Sequence, residues 1–246
     1  MQITKNNNET KPTMVFLPGK QCDYRVWAAQ MDALSSVINP ICIDLRYHNT
    51  LDEMLQAIFN ASTEPFILAG FSLGGYVAQE FILKYPEKVK ALVLVGCSGN
   101  GYSEEERQDY LTLINFVKEN HSSAMSGTAL PGYMHPVSYQ NKALVKQIED
   151  MLNDGGNEVF IRQQLATLNR QRRYEDLALV HCPAIVIAGM QDKIVNLADV
   201  KQTAKSIPGA EFLAIDECGH MIPMEQPKAL NQVLATWLNK IMKSNC

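Results

Sequence analysis

This 246-residue chain reads as an α/β protein, a mostly parallel sheet flanked by helices, with a helical insertion. Three observations lead there. Short apolar runs alternate with helical patterns along most of the chain, which is how strands joined by helical crossovers are written. Most of these runs are apolar nearly throughout, as strands covered on both faces must be. The alternation then stops between about residues 98 and 180, where helical patterns follow one another without strands. An insertion lying over one end of the sheet is the simplest account, and ligand sites favour such loop ends. The expected division is a core of residues 1–97 and 181–246 and a helical cap of 98–180.

Taken in order, strands are predicted at 13–17, 40–43, 66–69, 91–95, 184–188 and 211–215, with residues 1–3 as a further edge strand. Thr50-Leu51-Asp52-Glu53 is a capping box, in which the threonine oxygen and the glutamate each satisfy an otherwise orphaned backbone N–H. Met54, Leu55, Ile58 and Phe59 then make one apolar helix face. Ser103-Glu104-Glu105-Glu106 is a second box and opens a helix to about residue 120. Further helical patterns cover 141–152 and 158–169, interrupted by Gly127, Pro131, Gly132, Pro136, Gly155 and Gly156. After Pro227, Leu230, Val233, Leu234, Trp237, Leu238 and Ile241 recur at helical spacing, so the last helix should pack on the sheet.

Composition narrows the function classes. A net charge of −4, without a basic stripe, argues against a nucleic-acid partner. No run approaches the roughly 18 apolar residues of a membrane span, and residues 1–9 have no apolar stretch of signal-peptide length. A cytoplasmic address is expected. The six cysteines, Cys22, Cys42, Cys97, Cys182, Cys218 and Cys246, contain no C-x-x-C pair and read as free, structural thiols. No phosphate loop, dinucleotide-binding glycine motif or His-x-x-x-His pair appears, so no cofactor and no metal are expected. No pattern in the chain specifies an oligomeric state.

The most informative motif is Gly70-Phe71-Ser72-Leu73-Gly74, directly after the apolar run Phe66-Ile67-Leu68-Ala69 and before the helical positions Val77, Ala78, Phe81 and Ile82. That is a serine set on a sharp strand-to-helix turn, with glycines where two backbones close on each other. A serine hydroxyl is a poor nucleophile by itself and needs a positioned base and a site for the oxyanion. His220 follows the last predicted strand in a turn with Gly219, and a neutral imidazole can take up and return a proton. Asp192 follows the strand at 184–188 through Gly189, which places it at the same sheet end as Ser72. His48, His121, His135 and His181 read as packing or surface residues, and Asp216 and Glu217 as turn residues.

With these residues the chain resembles the α/β-hydrolase fold superfamily, and within it the small, cofactor-free serine esterase, lactonase and C–C hydrolase group with a helical cap. The resemblance runs from Met14-Val15-Phe16-Leu17-Pro18-Gly19 to the last helix. It is strongest at Gly70–Gly75, at Gly189-Met190-Gln191-Asp192-Lys193-Ile194-Val195 and at Cys218-Gly219-His220-Met221-Ile222-Pro223-Met224-Glu225-Gln226-Pro227. The order serine, acid, histidine is the family's. The resemblance implies Ser72 as nucleophile, His220 as base and Asp192 as the acid that orients it. It also implies an oxyanion hole from the backbone N–H groups of Leu73 and Lys20. The first-strand loop is Pro18-Gly19-Lys20 where the family usually begins His-Gly, and Asp44-Leu45-Arg46-Tyr47-His48 stands where relatives tend to have glycines after the aspartate.

The expected activity is carboxylesterase-like. A small-molecule ester, thioester or lactone would be cleaved through an acyl-enzyme, a small apolar acyl or alcohol group being the preferred substrate feature. The alternatives are C–C bond hydrolysis on the same fold, or a ligand receptor or interaction module with little turnover. Serine at the elbow argues against the dehalogenases and epoxide hydrolases of this fold, which use aspartate. Tyr102, Tyr110, Phe116, Met125, Tyr133 and Met134 either line a pocket or knit the insertion together, with packing the favoured reading. The Lys20 side chain is expected in solvent.

Overall fold

A computed structural model describes residues 11–120 and 130–244. Its strands are β1 (Thr13–Leu17), β2 (Asn39–Cys42), β3 (Phe66–Phe71), β4 (Val89–Val95), β5 (Ala184–Gly189) and β6 (Glu211–Ile215). Among the described residues they form one sheet in the order β2-β1-β3-β4-β5-β6, and every neighbouring pair is parallel. The predicted edge strand at 1–3 lies outside the described residues, as do His121, Gly127, Met125 and Cys246.

The near-continuous apolar strands serve two cores. On β1, Met14 and Phe16 join one core while Val15 and Leu17 join the other, because successive side chains leave a strand on opposite faces. On β4, Val93 and Val95 alternate in the same way with Leu92 and Leu94. Helices α1 (Ala28–Leu34), α2 (Leu51–Phe59) and α3 (Leu73–Lys84) fall between the first four strands. The capping box at Thr50 forms as predicted, with the Glu53 N–H donating to Thr50 Oγ1 at 3.1 Å. Glu53 Oε2 in turn accepts the Asn49 N–H at 2.6 Å.

Between β4 and β5 lie α4 (Glu104–Asn120), α5 (Leu130–Tyr133), α6 (Pro136–Gln140) and α7 (Lys142–Ala166). The two helices predicted on either side of Gly155 and Gly156 are both present within α7, separated by a kink at Gly156, whose backbone is not helical (φ 64°, ψ −176°). The chain closes with α8 (Leu197–Ser206), α9 (Ile222–Glu225) and α10 (Pro227–Ser244). On α10, Leu230, Leu234, Trp237 and Leu238 are buried in the core that also holds Met14 and Phe16 of β1 and Ile185 and Ile187 of β5. Among the described residues no helix is long and apolar enough to cross a membrane.

The topology positions the site. From β1 the chain moves outward to β2 and then returns to β3 on the other side of β1. Such a reversal opens a crevice at the carboxyl ends of the two diverging strands. The Pro18–Lys20 loop leaves β1 and Ser72 leaves β3, so both stand at that crevice. In a parallel sheet the loops after β4, β5 and β6 emerge at the same edge.

Candidate active site

Ser72 is held in a conformation that a non-glycine residue rarely adopts, φ 51° and ψ −114°. Its N–H donates to the Val95 carbonyl at 2.9 Å, and its carbonyl accepts the Tyr76 N–H at 3.1 Å to open α3. The turn closes only because the neighbouring backbones touch. A Cβ on Gly74 would stand 2.2 Å from the Leu17 carbonyl oxygen, and one on Gly70 2.3 Å from that of Gly74. The strained serine is therefore presented at the start of α3, where the first N–H groups of the helix are unpaired and the helix dipole favours negative charge.

His220 Nε2 lies 2.9 Å from Ser72 Oγ, and its Nδ1 lies 2.8 Å from Asp192 Oδ2. With Nδ1–H donating to the carboxylate, the Nε2 lone pair faces the serine hydroxyl, which donates to it. The His220 and Asp192 side chains are only 3% and 1% exposed. Asp192 Oδ1 accepts the N–H groups of Ile194 and Val195 at 2.8 and 3.0 Å, which fixes the carboxylate plane. The loops after β5 and β6 are laced together: Met190 N–H donates to Ile215 O, Gln191 N–H to Cys218 O, and Cys218 N–H to Gln191 Oε1. A Cβ on Gly189 would meet the Gly219 carbonyl at 2.2 Å, so this lacing needs glycine there. Sequence reasoning selected Ser72, Asp192 and His220, and the fold brings all three together.

Ser72 and His220 face a cavity of about 520 Å³ that also includes Lys20 and Leu73. A larger open groove of about 630 Å³ between β6 and α10 contains none of them, so the chemistry points to the smaller one. Among the described residues, neither the Lys20 nor the Leu73 backbone N–H is donated to a protein acceptor.

The family model described as alpha/beta hydrolase fold matches residues 20–227. The chain belongs to the alpha/beta hydrolase fold family. This hydrolase-fold chain is 23% identical to monoacylglycerol lipase ABHD6 of Bos taurus, over 94% of the chain and 76% of that protein. Its fold matches that of a thermophilic esterase from Thermogutta terrifontis with a TM-score of 0.85 and 23% identity, covering 94% of this chain and 92% of that one. An enol-lactonase from Burkholderia xenovorans LB400 gives a TM-score of 0.83 at 17% identity, covering 95% and 93%.

Several expectations about this hydrolase-fold chain need correction. The Lys20 side chain is not in solvent. Its ammonium donates to Gln164 Oε1 and lies 5.2 Å from the ring centre of Tyr110 and 5.6 Å from that of Phe160. Burial first, and then the nearby Arg170 charge, lower its pKa to about 7. Tyr102, Tyr110 and Tyr133 line the cavity rather than only packing the insertion, whereas Met134 is buried in the core and Phe116 is 53% exposed. The loop at 44–48 does not line the cavity. Its Arg46 is bound instead to Asp44 and Asp23.

Three further features carried no sequence signal. Glu225, quoted only as part of a motif, is buried to 9% exposure. It accepts N–H groups from His135 and Gly219 at 2.7 and 3.2 Å through Oε2, and from Met221 at 2.9 Å through Oε1. Burial raises its pKa while these backbone donors pull the other way. The donors at 219 and 221 flank His220, whose own N–H donates to the Tyr133 carbonyl at 2.7 Å. Secondly, Gln163 Oε1 accepts the Gln21 N–H at 2.8 Å, and Gln21 Nε2 donates to the Gly156 carbonyl at 3.0 Å. Helix α7 thus holds the loop after β1. Thirdly, Arg170 reaches the same cavity.

Proposed function

We propose that this chain is a serine hydrolase that cleaves a carboxylic ester, with thioesters and lactones as chemically close substrates, through an acyl-enzyme. The observation that carries the reading is the His220 ring, bonded at one nitrogen to Ser72 Oγ and at the other to Asp192, at 2.9 and 2.8 Å. His220 takes the Ser72 proton as Oγ attacks the carbonyl carbon. The negative charge that develops on the carbonyl oxygen is met by the N–H groups of Leu73 and Lys20, which need no reorganisation at that moment. His220 returns the proton to the leaving alkoxide, and the acyl group remains on Ser72. Water, deprotonated by His220, then attacks the acyl carbon and the acid leaves. Asp192 holds the imidazole orientation and stabilises the imidazolium. An ester bond is favoured because the lipase and esterase relatives act on esters, as their names state.

The test is steady-state hydrolysis of a panel of p-nitrophenyl esters differing in acyl length. Multiple turnover is expected in the wild type. Ser72→Ala should lose several orders of magnitude in kcat with its thermal transition retained. Full activity in that variant, or a single slow turnover with retained ligand in the wild type, would overturn the reading.

A further inference from the structure

The cavity in front of Ser72 is lined by two basic side chains, Lys20 and Arg170, that form no ion pair among the described residues. The Arg170 guanidinium carbon lies 4.1 Å from the ring centre of Tyr76 and 4.8 Å from that of Tyr102. Its Nε is buried and has no hydrogen-bond partner. The ammonium of Lys20 has the neutral Gln164 side chain as its polar partner. Glu106 and Asp199 also belong to the cavity wall, but among the described residues neither forms an ion pair with Arg170 or Lys20. Glu106 uses an oxygen on the Ser103 N–H at 2.7 Å.

Two like charges in a partly dry site repel each other and lose hydration, and among the described residues no carboxylate pairs with either to offset that cost. The guanidinium is held within cation–π reach of both tyrosine rings, and among the described residues no protein acceptor takes up its N–H edge. That edge is the part of arginine that recognises a carboxylate, by two parallel hydrogen bonds. If the stack served only to join the elements, an uncharged side chain would do so without the repulsion. A neutral alkyl ester gains nothing from either cation. An anion gains from both.

We propose that the cavity selects an ester carrying a second, ionised carboxylate, which Arg170 and Lys20 neutralise while its ester carbonyl lies at Ser72. The proposal rests on the hydrolase reading above, and it replaces the small apolar substrate expected from the sequence. Arg170 is then a substrate-binding residue.

The experiment compares matched pairs of esters on the full-length protein. Mono-p-nitrophenyl glutarate against its methyl ester places the extra carboxylate on the acyl side. 4-Butyryloxybenzoate against its methyl ester places it on the alcohol side. The expected result is a kcat/KM ratio of about tenfold or more in favour of the charged member in one pair, decreasing as salt is raised. Arg170→Gln should bring that ratio near one, and Arg170→Lys should keep part of it. A ratio near one in both wild-type pairs overturns the proposal but leaves the hydrolase reading standing, since the neutral esters still turn over. So does a variant that slows both members equally, which is the mark of a structural role. Should neither pair turn over, calorimetry with glutarate on Ser72→Ala, with and without Arg170→Gln, decides the question. Binding that depends on Arg170 supports the proposal, and no binding overturns it. If Arg170→Gln fails to fold, the wild-type ratio decides alone.

Discussion

Glu225→Gln is the substitution that most directly separates the positioning of His220 from its chemistry. Glu225 touches neither Ser72 nor the His220 ring. It gathers three backbone N–H groups, two of them on the residues flanking His220 and the third on His135. A glutamine can keep its carbonyl oxygen on the pair served by Oε2, but its NH₂ then faces the Met221 N–H, donor against donor. One buried donor is left unsatisfied, at a cost of about 2 kcal/mol. For a chain of this size that corresponds to a fall in Tm of about 4–8 °C. Relief comes from a shift of residues 219–221, and a displacement of an ångström or less at His220 costs on the order of tenfold in rate. The assay pairs differential scanning calorimetry with steady-state kinetics on a neutral p-nitrophenyl ester. A tenfold loss in kcat with KM nearly unchanged is expected, because the substrate walls are untouched. A lowered Tm with kcat within twofold of wild type would refute the claim that Glu225 positions His220.

Other perturbations follow the same geometry. Gly74→Ala sets a Cβ 2.2 Å from the Leu17 carbonyl oxygen and should abolish soluble expression, whereas Gly132→Ala meets nothing within 4 Å and should leave Tm within a degree or two, both read by thermal melts. Gln163→Leu removes the acceptor of the Gln21 N–H and should loosen the loop that supplies the Lys20 N–H, lowering kcat about tenfold at similar KM; a fall in Tm without a change in kcat would count against it. For whichever ester pair shows the preference, the ratio of the kcat/KM profiles of its charged and neutral members should decline as pH rises through about 7, the value to which burial and Arg170 lower Lys20. The sign follows from the chemistry: below that pH Lys20 is an ammonium that attracts the carboxylate, and above it a neutral amine. Dividing the profiles cancels His220, which serves both esters alike, while Arg170 and the wall carboxylates Glu106 and Asp199 also face the charged ester. A ratio that rises with pH would refute the assignment.

Much of the site was legible because its residues stand at strand ends. Strands buried on both faces are apolar throughout, so β1, β3 and β5 could be located to within a few residues, and the edge strand β6 by its short apolar run; Ser72, Asp192 and His220 each sit shortly beyond one of these strands. The glycines at 70 and 74 marked a close backbone approach, whereas those at 189 and 219 show theirs only in the fold. The Lys20 side chain went astray because lysine is usually exposed, and nothing local announces a glutamine acceptor 144 positions away. Tyr102 and Tyr110 were ambiguous because an aromatic residue on an amphipathic helix looks the same whether it covers a core or a cavity.

The amino-acid sequence by itself determined the architecture, the elbow at Ser72 and the identity of the polar residues on the β5 and β6 loops, since each is written in short-range periodicity and turn chemistry. Tertiary structure alone decided what surrounds them: the three donors gathered by Glu225, the hold of α7 on the loop after β1, and the meeting of Lys20 with Arg170 in one cavity. The physical reason is that these contacts join segments far apart in the chain. Their pairing depends on where the sheet and the insertion bring side chains together, a quantity that no local pattern carries.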